Sequence, residues 1–303
     1  MFSGDPSGAP NWVRSLETGD DEGFFGPDSA VWEVHSGMPT VVAGVRALLM
    51  QTLHPGAMAG VHDHSRYRED PLGRLSGTVR WVLTTTFADT QQARAGCEWV
   101  TQLHKRVAGT YPADSTGGDD ATPDVGAAAD RTYAASDADL LAWVHCVFAD
   151  AFLGCHETWG GAIPGGSDQY VAEWARAGEL MGVHNPPRSR DELDAAIASF
   201  EPVLRRDDRV DEALRWLRRP PLGSGVAPFY GIVFAGAVAS LPPRYRRLLG
   251  LRRPWWPAVT LTRLTLIGMR VLLGSESSSR YYTRRRLDRL AGRDVEPSDR
   301  FVA

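Results

Sequence analysis

The sequence predicts an all-α protein, a single helical-bundle domain of nine or ten helices, on three observations. Apolar residues recur at three- and four-residue spacing in one segment after another. Those segments are separated by Gly, Pro, Asp and Ser in the places where helices start and stop. No stretch alternates apolar and polar residues convincingly. Val79–Thr86 is β-branched enough to be ambiguous, but its helical stripe decides for a helix.

The elements follow in order. Residues 1–29 are rich in Gly, Asp and Pro and read as an extended N-terminal arm. The main domain spans 30–274. Within it, Val41, Val42, Val45, Leu48, Leu49 and Leu53 mark a helix that Pro55 stops. Asp70-Pro71 opens another, with Leu72, Leu75, Val79 and Val82 as its stripe. Asp89-Thr90 opens a third, which presents Ala93, Cys97, Val100, His104 and Val107 before Gly109. Residues 110–136 are Gly-, Asp-, Ala- and Thr-rich without periodicity and read as a flexible loop. Ser136-Asp137 should cap a strongly apolar helix running to Trp159, and Ser167-Asp168 should start one running to Met181. Asp191–Phe200 and Asp208–Leu217 are shorter amphipathic helices. Two late apolar segments, Gly225–Pro242 and Ala258–Gly274, read as buried or interfacial helices. Residues 275–303 form a basic C-terminal helix and tail, whose run Arg280–Arg293 is expected to be a solvated charged face.

Composition excludes several classes. The 303 residues are 43% hydrophobic and 23% charged with a net charge of −4, ordinary for a globular domain and no argument for nucleic acid. Cys97, Cys146 and Cys155 are too few and too scattered for a disulfide framework or a zinc knuckle, and fit core thiols in a reducing compartment. No basic stretch followed by an apolar run opens the sequence. Neither late apolar segment is a clean run of about 20 residues, the length a spanning helix needs. The chain therefore reads as soluble and cytoplasmic, with no transmembrane segment.

Two histidines carry the functional question. His104 stands four residues after Val100 and three before Val107, and His145 lies between Leu141 and Phe148, so each shares the apolar face of its helix. An imidazole aimed into a helical core needs a partner, either a hydrogen bond or a metal. Bundles build cofactor sites from facing helices, and a neutral imidazole is a common axial ligand of haem iron. A di-iron centre would use Glu-x-x-His pairs, and none occurs. His156-Glu157 begins a zinc-protease string, but Gly160 takes the place of its second histidine. His62-Asp63-His64 lies in a polar stretch, read as a loop, where surface or hydrogen-bonding roles are the ordinary ones. Arg74 and Thr78 share one helical face with Trp81. Spacing alone gives them an ion pair and a hydroxyl bonded to a preceding carbonyl; in a pocket they could instead bind a propionate or polarise oxygen.

Several linked motifs resemble one family. They are Phe24-Phe25-Gly26-Pro27-Asp28-Ser29, Val45–Pro55, Met58-Ala59-Gly60-Val61 with His64-Ser65, and Tyr67–Pro71. Gly73-Arg74-Leu75 with Thr78, Leu103–Val107, Leu141–His145 and Leu241–Arg244 continue the match. The family is that of the MpaB-type and rubber oxygenases, which includes latex clearing protein. The resemblance implies an all-α bundle with a buried haem pocket like the globin-like core of latex clearing protein. It implies haem b with its iron as cofactor, dioxygen and a small, mostly apolar, alkene- or isoprenoid-like substrate as partners, and a place for an electron donor. By order and spacing from the Arg74/Thr78 motif it assigns the axial ligand to His104, with His145 as a second pocket histidine; exchange of those two roles stays open. Arg74 and Thr78 fall on the family's distal arginine and threonine, and His64 joins them as a candidate pocket residue. One departure stands out. Many relatives carry a basic residue immediately before the threonine, associated in latex clearing protein with the open distal iron position, and this chain has Gly77. The rival reading is a non-catalytic haem or apolar-ligand binding protein, in which both histidines ligate the iron.

Overall fold

The computed structural model describes residues 9–112, 130–223, 225–254, 257–274 and 276–293, and at positions 71, 72, 74 and 75 the backbone alone. Among the described residues there are fourteen α-helices, more than the nine or ten expected. In order they are α1 (Asn11–Arg14), α2 (Ala30–Ser36), α3 (Thr40–Gln51), α4 (Pro55–His64), α5 (Pro71–Phe87), α6 (Thr90–His104) and α7 (Ala138–Trp159). Then come α8 (Gly166–Leu180), α9 (Arg190–Ser199), α10 (Asp208–Arg218), α11 (Ala227–Ser240), α12 (Pro243–Leu248), α13 (Pro257–Leu273) and α14 (Ser278–Leu290). Three elements, α5, α6 and α10, begin where their caps predict. The Asp70, Asp89 and Asp207 carboxylates accept from the Gly73, Gln92 and Val210 amides at 2.9, 2.8 and 3.0 Å, satisfying donors that an α-helix leaves unpaired in its first turn.

The core is organised around α7. Its 22 residues are apolar enough to cross a membrane by length and composition, but the helix is sheathed by α3, α8, α9 and α11, and Trp143, Val147, Ala151, Leu153 and Cys155 lie inside. One ion pair sits in this interior. Arg46 of α3 reaches Asp150 of α7 at 2.5 Å with both side chains almost fully buried, and Arg190 of α9 approaches the other carboxylate oxygen at 3.4 Å. Gly154 makes room for it, since a Cβ there would stand 2.2 Å from an Arg46 guanidinium nitrogen.

Several sequence expectations need correction. His62-Asp63-His64 is the last turn of α4, not a loop, because His54 and Pro55 start a helix there: the His54 Nδ1 accepts from the Ala57 amide at 3.4 Å. The expected flexible loop 110–136 is partly strand. β1 (Ala108–Tyr111) pairs antiparallel with β2 (Arg131–Ala134), and residues 113–129 lie outside the described ones. Asp137 does not cap α7; its carboxylate turns back to accept from the Ala134 amide at 2.7 Å and closes the ribbon. The arm is not wholly extended, since α1 and a 3-10 turn, Ser15–Glu17, fold onto α14.

The basic C-terminal helix is likewise only half a solvated face. Arg286 is fully buried, donating to the carbonyls of Leu16 at 2.8 Å, Phe87 at 3.0 Å and Glu22 at 3.4 Å. Thr283 donates to the same Phe87 oxygen at 2.9 Å. Phe87 is the last residue of α5, so its carbonyl has no acceptor role within the helix, and a cation there also faces the negative end of the helix dipole.

Candidate functional site

His104 lies on α6 and His145 on α7, and the contacts of these helices with α5 and α8 fix a register. The first layer is around His35 of α2, which sequence reasoning missed. Its ring is buried between Phe152, Tyr170 and Trp174, with Nδ1 2.8 Å from the Thr86 hydroxyl and Nε2 3.1 Å from the Tyr170 hydroxyl. Burial, with a contribution from nearby His156, pushes its pKa down to about 3, so the ring is neutral. The signal for it was present in the sequence: Ser29 caps α2 by accepting from the Trp32 amide, and Val31, Val34 and His35 recur on one face.

The second layer is aromatic. Phe148 of α7 stacks on Trp174 of α8 at 5.4 Å and 22°, and Trp81 of α5 meets both rings edge-on at 6.1 and 5.9 Å. Moving from the first layer to the second therefore runs backward along α5 and α7 and forward along α8. The next step in the same directions reaches Thr78, His145 and Gly178, since one turn of helix advances about 5.4 Å. His145 and Gly178 do meet. A Cβ on Gly178 would stand 2.9 Å from the His145 Cε1 and 3.1 Å from each ring nitrogen, so the imidazole lies flat on bare backbone.

The α5–α6 hairpin brings His104 to the same end. Thr85 is 3.7 Å from the Cys97 sulfur and Gly96 abuts Thr84, so the two helices run antiparallel from the turn at Ala88. Continuing that pairing sets Trp81 level with Thr101 and Thr78 level with His104, the last residue of α6, while Arg74 lies a turn beyond. His104 is half-buried there and no deeper. The Arg74 side chain lies outside the described residues. Helix periodicity thus directs Thr78, His104 and His145 toward the same end of the layered bundle.

His145 is buried, and desolvation lowers its pKa to about 4. Its ring makes no hydrogen bond to any described residue, which leaves a neutral nitrogen lone pair available. His64 sits on the periphery. It is exposed, and its Nε2–H donates to the Ala108 carbonyl at 3.1 Å, fastening α4 to the ribbon that follows His104. His62 pairs with carboxylates instead, its Nδ1 3.0 Å from Asp63 and its Nε2 3.4 Å from Glu212. Successive residues on a helix point about 100° apart, so His62 and His64 have different neighbours. His54, buried beside Trp143 and Phe200, has its pKa lowered to about 4 by desolvation, which the opposing influences of Asp139 and Arg205 leave standing.

All three cysteines are free and buried. Burial pushes the Cys146 and Cys155 thiols up to about 12 and about 11, so both are protonated. Among the described residues no three of His, Cys, Asp and Glu stand together as a metal-holding group. Two cavities, about 410 Å³ beside Asn185, Pro186 and Arg188 and about 290 Å³ beside Asp150, Arg190 and Tyr245, lie away from His104 and His145.

The fold and the site define a helical bundle in which the neutral His145 imidazole follows a wall of aromatic rings. The catalytic domain described as ER-bound oxygenase mpaB/B'/rubber oxygenase matches residues 32–273, from α2 to the end of α13. The chain belongs to that oxygenase family. No curated protein and no solved structure matches it significantly.

Proposed function

We propose that the protein is a haem b-dependent oxygenase that uses dioxygen on a small, mostly apolar substrate, with His104 as the axial ligand of the iron. The observation that supports this reading is the Trp81–Phe148–Trp174 wall with His145 lying on Gly178 beyond it, an end toward which helix periodicity also directs Thr78 and His104. The residues fit the group. Haem asks for one neutral imidazole and an apolar slot, whereas a non-haem centre asks for several protein ligands together. When bound, haem supplies the oxygen chemistry, and the protein sets ligation, access and polarity.

The chain's own residues then have distinct tasks. His104 offers a ring nitrogen from the end of α6. Arg74, on the first turn of α5, would supply a cation for a propionate or for developing negative charge. Thr78, one turn further along, offers a hydroxyl to a polar atom held beside it. His145 stays neutral on the bare backbone of Gly178 and lines the wall. The aromatic layer excludes water and favours an apolar substrate such as an alkene. Gly77 leaves the position before the threonine without a side chain, and nothing stands within 4 Å of where a Cβ would be.

A second reading rests on one observation. His145 also has an uncommitted neutral ring at the same end, so both histidines could ligate iron and close it to oxygen. Spectra of the purified protein after haem supplementation separate the two. The oxygenase reading expects a Soret band that carbon monoxide shifts, lost in His104→Ala and kept in His145→Ala. Loss of haem only in His145→Ala would reverse the ligand assignment. A six-coordinate spectrum indifferent to carbon monoxide would favour the binding protein, and no Soret band at all would remove both.

A further inference from the structure

The late apolar helix α13 has two unlike sides. Its inner side is closely seated: Ala258, Thr262 and Leu266 are buried, and the Thr262 hydroxyl donates to the Ile232 carbonyl of α11 at 3.3 Å, over Gly236. Its outer side carries Leu261, Leu264, Ile267, Val271 and Leu272, exposed by 43, 60, 53, 77 and 85%. At 100° per residue these five occupy an arc of about 140°, the width of a helix face that is normally covered. Isolated exposed leucines need no explanation, but five on one face of one helix do.

The charge around this face points to what covers it. From Ala213 to Ser275 the sequence has ten arginines and no aspartate or glutamate, in a chain whose net charge is −4. The rest of the molecule therefore carries a net −14. Arg263 and Arg270 fall along one edge of the apolar arc, and exposed Arg252 and Arg253 precede the helix. The nearest carboxylate in sequence, Glu276, is paired with Arg284 at 3.1 Å. A second copy placed on this face would bring arginines against arginines. An anionic lipid surface satisfies both features, accepting leucine side chains below the headgroups and guanidinium groups among the phosphates.

We propose that α13 is a peripheral docking face for an anionic bilayer, lying in the interface with Leu264 and Val271 inserted and Arg252, Arg253 and Arg270 on the headgroups. α13 does not span. Co-sedimentation of the full chain with phosphatidylserine–phosphatidylcholine vesicles tests this against pure phosphatidylcholine vesicles. The wild-type protein should pellet with the anionic vesicles, and high salt should weaken binding. Leu264→Glu with Val271→Glu should reduce binding at least tenfold, with circular dichroism and melting temperature unchanged because neither side chain packs inward. Arg252→Gln with Arg253→Gln should reduce it further toward the level on neutral vesicles, at about fivefold per arginine. Should the glutamate pair disturb folding, Leu272→Gln, at the most exposed position, replaces it. The proposal fails if the wild type stays in the supernatant with both vesicles, or if the glutamate variant binds as the wild type does. It also fails if the wild type ignores vesicles and sediments as a dimer that the glutamate variant dissociates, which would assign the face to a second copy.

Discussion

Replacing His35 with glutamine should blunt the stability that the wild-type protein loses as the solution is acidified. The folded ring has a pKa of about 3, against an ordinary value of 6.5. Above 6.5 the folded and unfolded states are both neutral at this position, and its contribution is complete. As the pH falls through that value the unfolded chain takes up a proton that the folded one refuses, so stability drains away until the folded ring itself titrates near 3. At a pH about two units below the ordinary value the loss is about 2.7 kcal/mol, from about 1.36 kcal/mol per unit. For a chain of this size, with an unfolding entropy of about 0.6 kcal/mol per degree, that is a fall of about 4–5 °C in melting temperature. Glutamine does not titrate, and its amide can serve both the Thr86 and Tyr170 hydroxyls. His145 and His54 push in the same direction, each with a pKa lowered to about 4, but they are present in both proteins. The measurement is the melting temperature of wild type and His35→Gln at about pH 7 and about pH 4.5, read as the difference of differences. An equal acid loss in the two proteins would refute the reasoning, because the proton that drives it would then bind elsewhere.

Three further outcomes follow from the packing. Asp150→Ala strands the buried Arg46 and should cost about 3–5 kcal/mol in urea unfolding, whereas Arg46→Met should cost less, because Asp150 keeps Arg190; the reverse order would show that the carboxylate does not depend on α9. Gly178→Ala puts a methyl where the His145 ring lies and should destabilise by about 1–3 kcal/mol, a cost that His145→Ala in the same chain should largely relieve. Gly77→Lys meets open space in the middle of α5 and should raise stability by about 0.5–1 kcal/mol through helix propensity alone, checked by thermal melting. A loss of stability there would mean that the position is more crowded than the backbone shows.

The fold was legible wherever a helix buried a long regular stripe. α3, α5, α7 and α10 start within a residue or two of the expected places. The elements missed were those without such a stripe. α2 is only seven residues long, and α4 has so polar a last turn that His62 and His64 looked like loop residues. The strands could not be read because β1 has only one buried side chain, Tyr111, and pairs with residues 20 to 26 positions away. At the site, spacing alone put His104 and His145 on the apolar faces of their helices; His145 is buried and His104 half-buried. It could not reveal the partners that depend on chain crossings, such as the cage around His35 or the bare Gly178 beneath His145. Arg286 shows the same limit, since a basic run carries no mark of the one guanidinium that three distant carbonyls will enclose.

That enclosure bears on the order in which the molecule is made. The last carbonyl of α5, the helix that carries Arg74 and Thr78, waits for donors 196 and 199 residues further along the chain. During synthesis α5 and its partners can form and pack well before Thr283 and Arg286 leave the ribosome. Until then the end of α5 stays hydrated, and the segment from Leu16 to Glu22 is held only by α6, through Thr90 to Asp21 and Gln92 to Thr18, and by the packing of Leu16. Both pieces of this clasp, before residue 32 and after residue 273, lie outside the stretch that matches the oxygenase domain. The shared domain is thus closed by a latch made of the chain's earliest and latest described segments, and the helix bearing the proposed pocket is finished last.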